Sequence, residues 1–190
     1  MRDGGYDGDH AVRIATTRLT IRPLDVGDAV SVDVLAANPA ISPNLCATIP
    51  ADAARKLVIL ERRTGRIVGA AEYGVTGLGS GMEVCLWIGE PHWGRGYATE
   101  AAHALIDHAF SDSAVDALWC ANRVANTRAR RVIEKCGFQY RGSGMVRLIG
   151  RGASPIERFV LDRRTWSSLT EWAAAHGAGA AGNAPHESAA

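Results

Sequence analysis

The stretch from Glu83 to Ala121 limits the fold of this chain more than any other. Glu83-Val84-Cys85-Leu86-Trp87-Ile88 reads as a strand, with Val84, Leu86 and Ile88 on one face and Cys85 and Trp87 on the other. The turn Trp93-Gly94-Arg95-Gly96-Tyr97-Ala98 follows, then a helix-like segment from Thr99 to Phe110, then the strand-like run Ala117-Leu118-Trp119-Cys120-Ala121. Two strands separated by a long helix predict a parallel pair joined by a right-handed crossover.

The turn itself carries chemistry. Gly94 and Gly96 remove side chains where the backbone bends, and they permit positive φ and close approach of another molecule. The helix behind them presents unpaired N–H groups and the positive end of its dipole. Such a turn is a site for phosphate or another anion, or simply a structural strand-to-helix connection.

A second element lies about thirty residues on: Asn126-Thr127-Arg128-Ala129-Arg130-Arg131-Val132-Ile133-Glu134-Lys135-Cys136-Gly137-Phe138. Ala129, Val132, Ile133 and Cys136 recur at helical spacing, Asn126 suits the N-cap and Gly137 the C-terminal stop. Together the two elements resemble the GNAT acetyltransferase superfamily. The closer likeness is to its RimJ/RimL-like branch, which reads W-G-x-G-Y-A-T-E-A and, later, N-x-x-S-x-R-V-x-E-K-x-G-F. The resemblance covers residues 17 to 166.

The resemblance implies an α/β (α+β) fold: a mixed, mostly antiparallel twisted sheet of about six to seven strands, flanked by helices and opened by a splayed central strand pair. It implies acetyl-CoA as co-substrate, its pantetheine arm against the strand near Trp87 and Ile88. A β-bulge near the end of that strand helps open the V in relatives, and Gly89 is the matching bulge or exit point here. The resemblance puts the pyrophosphate on Trp93, Gly94, Arg95, Gly96, Tyr97, Ala98 and Thr99, with Asn126 beside the pantetheine. Thr99 and Asn126 have plainer readings, as a first-turn residue and as a helix cap.

Transfer to an amine requires something to take a proton. Glu72 and Glu83 are the candidate catalytic bases, each with an alternative reading as a structural or rim carboxylate. Two side chains of relatives are missing: Ile133 stands where many carry the Tyr that protonates the thiolate, and Ala129 where many of this branch carry Ser. The arginines 123, 128, 130 and 131 read mainly as a solvated helix face, Glu134 as an ion-pair residue, and His103 and His108 as surface residues.

The rest of the chain bounds these readings. With 190 residues it is long enough for one domain with a real core. A net charge of +1 does not nominate nucleic acid or membrane as partner. The polar, acidic start has no signal-peptide pattern, and the expected location is cytoplasmic. Cys46, Cys85, Cys120 and Cys136 form no C-x-x-C and have no histidine cluster, so no metal is expected.

The expected domain spans 17–172, between a flexible arm over 1–16 and an Ala/Gly-rich disordered tail over 173–190. Within it, Leu19–Arg22 is a strand, Asp28–Ala37 a helix, and Lys56–Leu60 and Ile67–Tyr73 a hairpin around Thr64-Gly65; Gln139–Arg141, Met145–Ile149 and Ile156–Leu161 finish the sheet.

The function expected is direct acetyl transfer to a primary amine, either a protein N-terminus or a small molecule, by a monomer or homodimer. Two alternatives remain: a non-catalytic acyl-CoA-binding module, and a generic phosphate- or nucleotide-binding domain that rests on the glycine turn alone.

Overall fold

A computed structural model describes residues 12–45, 49, 54–75, 81–148 and 152–177. In chain order the elements are β1 (Ile14–Ala15), β2 (Leu19–Pro23), α1 (Ala29–Ala36), β3 (Ala54–Glu61), β4 (Ile67–Val75), β5 (Met82–Ile88), α2 (Tyr97–Ser111), β6 (Ala117–Arg123), α3 (Thr127–Lys135), β7 (Gln139–Leu148), β8 (Gly152–Asp162) and α4 (Arg163–Gly177). The eight strands form one sheet in the order β1-β2-β3-β4-β5-β6-β8-β7. Neighbours are antiparallel except β5 and β6, which run parallel across the α2 crossover, as the sequence predicts.

Helix α2 builds the main core. Ala101, Ala102, Leu105, Ile106, Ala109 and Phe110 are buried at helical spacing. They meet Leu57, Ile59, Ala71, Val84, Ile88 and Leu118 from one sheet face. Burying a side chain such as Leu105 or Phe110 contributes about 1.5–3 kcal/mol. Helix α3 joins the same layer: Val132 and Ile133 pack on the cluster that holds Cys136, Phe138 and Phe159. Helix α1 lies on the opposite face, where Leu35 approaches Gly89 and Asn38 donates to Glu90 at 2.9 Å.

Several expectations shift. The sheet has eight strands rather than six to seven, because β1 forms from residues placed in the arm. Val12, also in that arm, is 5% exposed. Residues 139–148 make one strand rather than two, bent where the register slips between Tyr140 and Gly142. Helix α4 was not expected, and it runs through 173–177, which the tail was to include. Asp162 caps it by accepting from Thr165 N–H at 2.8 Å, and Trp166 stacks on Phe110 with ring centroids 5.0 Å apart. Gly89 is an exit rather than a bulge: β4 and β5 keep an unbroken register to Gly69–Ile88, and Gly89 N–H still bonds Val68 O at 2.8 Å. Residues 1–11, Cys46, Pro50 and the tail beyond 177 lie outside the described residues.

Candidate active site

The parallel pair β5–β6 holds together over two rungs only, Met82–Leu118 and Glu83–Trp119. Beyond them β5 continues along β4 to Ile88, and β6 continues along β8 to Arg123. The two strands therefore part, leaving a V with a backbone edge on each side. An open edge offers N–H and C=O groups to any extended chain that enters.

The V leads to the glycine turn. Gly94 and Gly96 both have positive φ, 75° and 76°. Gly96 is the N-cap of α2, no side chain caps that helix, and its first internal bond runs from Glu100 N–H to Gly96 O at 3.1 Å. The N–H groups of Tyr97, Ala98 and Thr99 precede that bond and are the orphan donors of the first turn. A Cβ added to Gly94 would meet nothing within 4 Å, so this glycine serves the backbone angle and not a packing limit.

Trp93 fixes the turn against the strand. Its Nε1 donates to Ile88 O at 2.6 Å, and the Arg128 guanidinium lies 4.6 Å from its ring centroid. Arg128 thus links the turn after β5 to the first turn of α3, across the wide end of the V. Arg95 and Gly96 are exposed, while Ala98 and Thr99 are half-buried. Tyr97 turns away from the site: it is 6% exposed, its hydroxyl donates to Glu61 Oε1 at 2.7 Å, and Arg18 covers its ring. Its main chain is the part of Tyr97 that can serve the turn, as the expected N–H cradle requires.

Asn126 is a cap: its Oδ1 accepts Ala129 N–H at 3.1 Å, and its main-chain oxygen accepts from Asn122 Nδ2 at 3.2 Å. The arginine cluster is solvated as expected, with Arg128, Arg130 and Arg131 exposed, and part of it is also engaged. Arg130 pairs with Glu134 at 2.9 Å and with the buried Glu157 at 2.7 Å, and Arg123 donates to Pro43 O. Arg131 is exposed.

Glu72 and Glu83 stand on one face of the sheet. Glu72 pairs with Cys85 and Glu83 with Gly74, so the two carboxylates are diagonal neighbours across β4 and β5. Glu83 is 1% exposed and sits on the last rung of the closed end. Glu72 is half-buried, one step further up, where the strands have parted. This is the face opposite α2, because Tyr73, its immediate neighbour in β4, turns to α2 and meets His108 edge-on at 6.4 Å.

The titratable groups around the site have clear causes. Burial holds His92 below its usual range, helped by Arg95, and its Nδ1 is shielded with no hydrogen-bond partner among the described residues. His108 is half-buried rather than on the surface, and burial lowers it too. Burial raises the Cys120 thiol well above its ordinary value and pushes Cys136 up to about 12, so both stay protonated. Among the described residues, no group of three or more His, Cys, Asp or Glu side chains could hold a metal ion, and no helix is long and apolar enough to cross a membrane. An open depression of about 840 Å³ lies on the other flank of α2, beside β1, and meets the turn at Gly96, Thr99 and Glu100.

Comparison with known proteins agrees with this geometry. A family model described as an acetyltransferase (GNAT) domain matches residues 18–139. An uncharacterised N-acetyltransferase, p20, of Bacillus licheniformis is 26% identical over 90 residues, covering 47% of this chain and 51% of the relative. The chain spans about half the length, or less, of the curated relatives it matches. Mycobacterium smegmatis RimJ in complex with CoA-disulfide superposes with a TM-score of 0.70 at 18% identity, over 86% of this chain and 95% of that one. Spermidine N-acetyltransferase from Vibrio cholerae, in complex with CoA and spermine, gives 0.66 at 20% identity, over 80% and 99%.

Proposed function

The chain belongs to the acetyltransferase (GNAT) family, and from that membership we propose that it is an N-acetyltransferase that moves an acetyl group directly from acetyl-CoA to a primary amine. The observation that carries this reading is the V between β5 and β6, opening after Glu83–Trp119 and ending at the uncapped start of α2.

The residues present fit the co-substrate. The free edge of β5 near Trp87 and Ile88 suits the amide-bearing pantetheine arm. The turn Trp93–Thr99, with two left-handed glycines and the N–H groups of α2, suits a diphosphate. Arg95 adds charge at the same end, and Asn126 lies across the V at the start of α3. When bound, acetyl-CoA supplies an activated acyl thioester.

The chain's own part is positioning and proton handling. Glu72, directly or through a water, takes the proton that the amine sheds as its C–N bond forms and the C–S bond breaks. We place Glu72 ahead of Glu83 because Glu72 borders the parted strands, whereas Glu83 sits where they still pair. A main-chain N–H near Ile88 stabilises charge developing on the acyl oxygen. Ile133 packs into the core and Ala129 carries only a methyl group, so neither can protonate the departing sulfur. That proton comes from water, and proximity carries more of the rate.

The acceptor belongs to a wide class. By likeness, a Vibrio fischeri ribosomal-protein-S5-alanine acetyltransferase points to a protein acceptor, and the spermidine enzyme to small amines. The likeness of the two sequence motifs supports the RimJ/RimL-like branch, and the chain works in the cytoplasm on this reading.

Calorimetric titration with acetyl-CoA, free CoA and ATP, on wild type and Gly96→Trp, tests the proposal. Micromolar binding of both CoA species, absent with ATP and lost in the variant, is expected. No binding of either CoA species by folded protein overturns it.

A further inference from the structure

Glu100 stands in the first turn of α2, yet its carboxylate reaches toward the hairpin between β1 and β2 rather than toward the V. Its Oε2 accepts from Arg18 Nε and Nη2, each at 2.6 Å. Its Oε1 accepts the Arg18 main-chain N–H at 2.9 Å and the Thr16 hydroxyl at 2.5 Å. The last arm of the same guanidinium, Nη1, donates to Arg95 O at 2.7 Å, inside the glycine turn. The hairpin is itself anchored just past β3: Arg62 donates its N–H to Arg18 O at 2.8 Å and its Nη1 to Thr16 O at 2.6 Å. Tyr97 completes the joint. Arg18 lies 4.9 Å from its ring centroid, and its hydroxyl reaches Glu61, the last residue of β3.

These contacts gather on the β1 flank of α2, where Thr16, Arg18, Gly96 and Glu100 line the same depression. The V lies on the other flank. One peptide plane carries the consequence. The bond between Arg95 and Gly96 is trans, so its C=O and N–H point in opposite directions. Arg18 holds the Arg95 oxygen on the β1 flank, which turns the Gly96 N–H toward the V. There it joins the orphan N–H groups of Tyr97, Ala98 and Thr99. Glycine at 96 leaves this plane free to flip. A flipped plane would present a carbonyl oxygen where an oxyanion belongs.

We infer that Arg18 and Glu100 are positioning residues for the diphosphate of acetyl-CoA: they brace the turn from behind and aim the Gly96 N–H at it, without touching the co-substrate. The inference rests on the acetyltransferase reading of the turn and adds two residues to it. The planar fork of arginine spans Glu100 and Arg95 O at once, which a lysine ammonium cannot do. The fit is close: a Cβ added to Gly96 would come 3.4 Å from Arg18 Nη2. Attraction of phosphate by the charge of Arg18 makes the opposite forecast at its partner. Removing the Glu100 carboxylate would tighten anion binding through charge alone, whereas it loosens a braced turn.

The test is calorimetry of acetyl-CoA on the full chain and its variants, with the amide NMR signals of the wild type as a second readout. Arg18→Gln and Glu100→Gln should each bind acetyl-CoA about tenfold more weakly, as expected for losing charge-assisted bonds. Arg18→Lys, with the charge kept and the fork lost, should stay close to Arg18→Gln. Thr16→Val, the mildest change, should weaken binding by about threefold. On adding acetyl-CoA to wild type, the Gly96 amide proton should move downfield together with those of Tyr97, Ala98 and Thr99. A Glu100→Gln variant that binds as tightly as wild type or tighter overturns the inference, and so does full rescue by Arg18→Lys. A Gly96 signal that stays in place overturns it too, and this arm decides the matter even if the charge variants fail to fold. Wild type that binds no acetyl-CoA overturns the acetyltransferase reading beneath; wild type that binds it, with Gly96 unmoved or the variants unchanged, overturns this inference alone.

Discussion

The indole nitrogen of Trp93 donates to the main-chain oxygen of Ile88 at 2.6 Å, closing the strand end onto the turn that follows it. The bond explains how a turn with two flexible glycines keeps one shape. It anchors the residue just before Gly94, while Arg128 covers the other side of the same ring. Trp93→Phe keeps the ring under Arg128 and removes only the donor. Its expected cost is about 1 kcal/mol, seen as a lower melting temperature, with severalfold weaker acetyl-CoA binding by calorimetry. Unchanged binding would remove Trp93 from the site.

Gly69 and Gly94 make a matched pair of tests for two reasons to use glycine. A Cβ on Gly69 would lie 2.2 Å from Trp87 O, a backbone atom that cannot step aside without moving β5. Gly69→Ala should therefore destabilise by about 3 kcal/mol or more, or prevent folding. Gly94→Ala meets no atom but must hold a φ of 75°, so a loss of about 1–2 kcal/mol is expected. Urea unfolding of both variants checks the ranking; equal losses would contradict it.

The two carboxylates should separate in kinetics. Glu72→Gln is expected to lower kcat at least 10²-fold with the KM for acetyl-CoA unchanged. Glu83→Gln, at a position 1% exposed, should act first on stability. The reverse pattern would assign the base to Glu83.

Acid sensitivity should come in two steps. His92 and His108 lie below the usual 6.5 in the folded chain, chiefly through burial. The unfolded chain then binds more protons, so stability falls as pH drops through that value. Asp28 is held low by its bonds from Arg22. Burial pushes Glu100 up, but bonds from Thr16 and Arg18 outweigh it, and the group ends lower than usual. Their contribution is whole above the ordinary carboxylate values of 3.8 and 4.5 and is lost as pH falls through the lower folded ones. Urea midpoints from pH 8 to 3 should show both steps. His108→Gln should flatten the first, and Glu100→Gln the second while lowering the neutral plateau.

What could be read from the sequence was local or motif-borne. Asn126 and Gly137 bracket α3 because capping depends on a residue's own side chain or its lack of one. The crossover around α2 follows from two strand patterns and one helix pattern. The point where β5 and β6 part is a different matter. It depends on β4 and β8 holding each strand from outside, and no residue between 83 and 123 announces it. The same is true of Arg128 over Trp93, a contact between elements 35 residues apart. Helix α4 escapes the sequence pattern because its alanine-rich end resembles the tail beyond it, yet Asp162 marks its cap and Trp166 and Leu169 the side that touches the fold, Leu169 while still 46% exposed. Leu169 rests so closely on Gly137 that an added Cβ would lie 2.4 Å from it. The burial of the Tyr97 ring under Arg18 could not be read either, because a motif position says nothing about where a side chain turns.

The two rungs between β5 and β6 make the sheet, mechanically, a pair of plates clipped together at one corner. One plate is β1 to β5 and the other β6, β8 and β7. A narrow clip resists sliding poorly, so the crossover helix carries the load that a full ladder would carry. An extended molecule laid in the gap acts as a splint: it gives each plate a new edge to hold and stiffens the whole against shear. Substrate entry and reinforcement of the scaffold would then be one event.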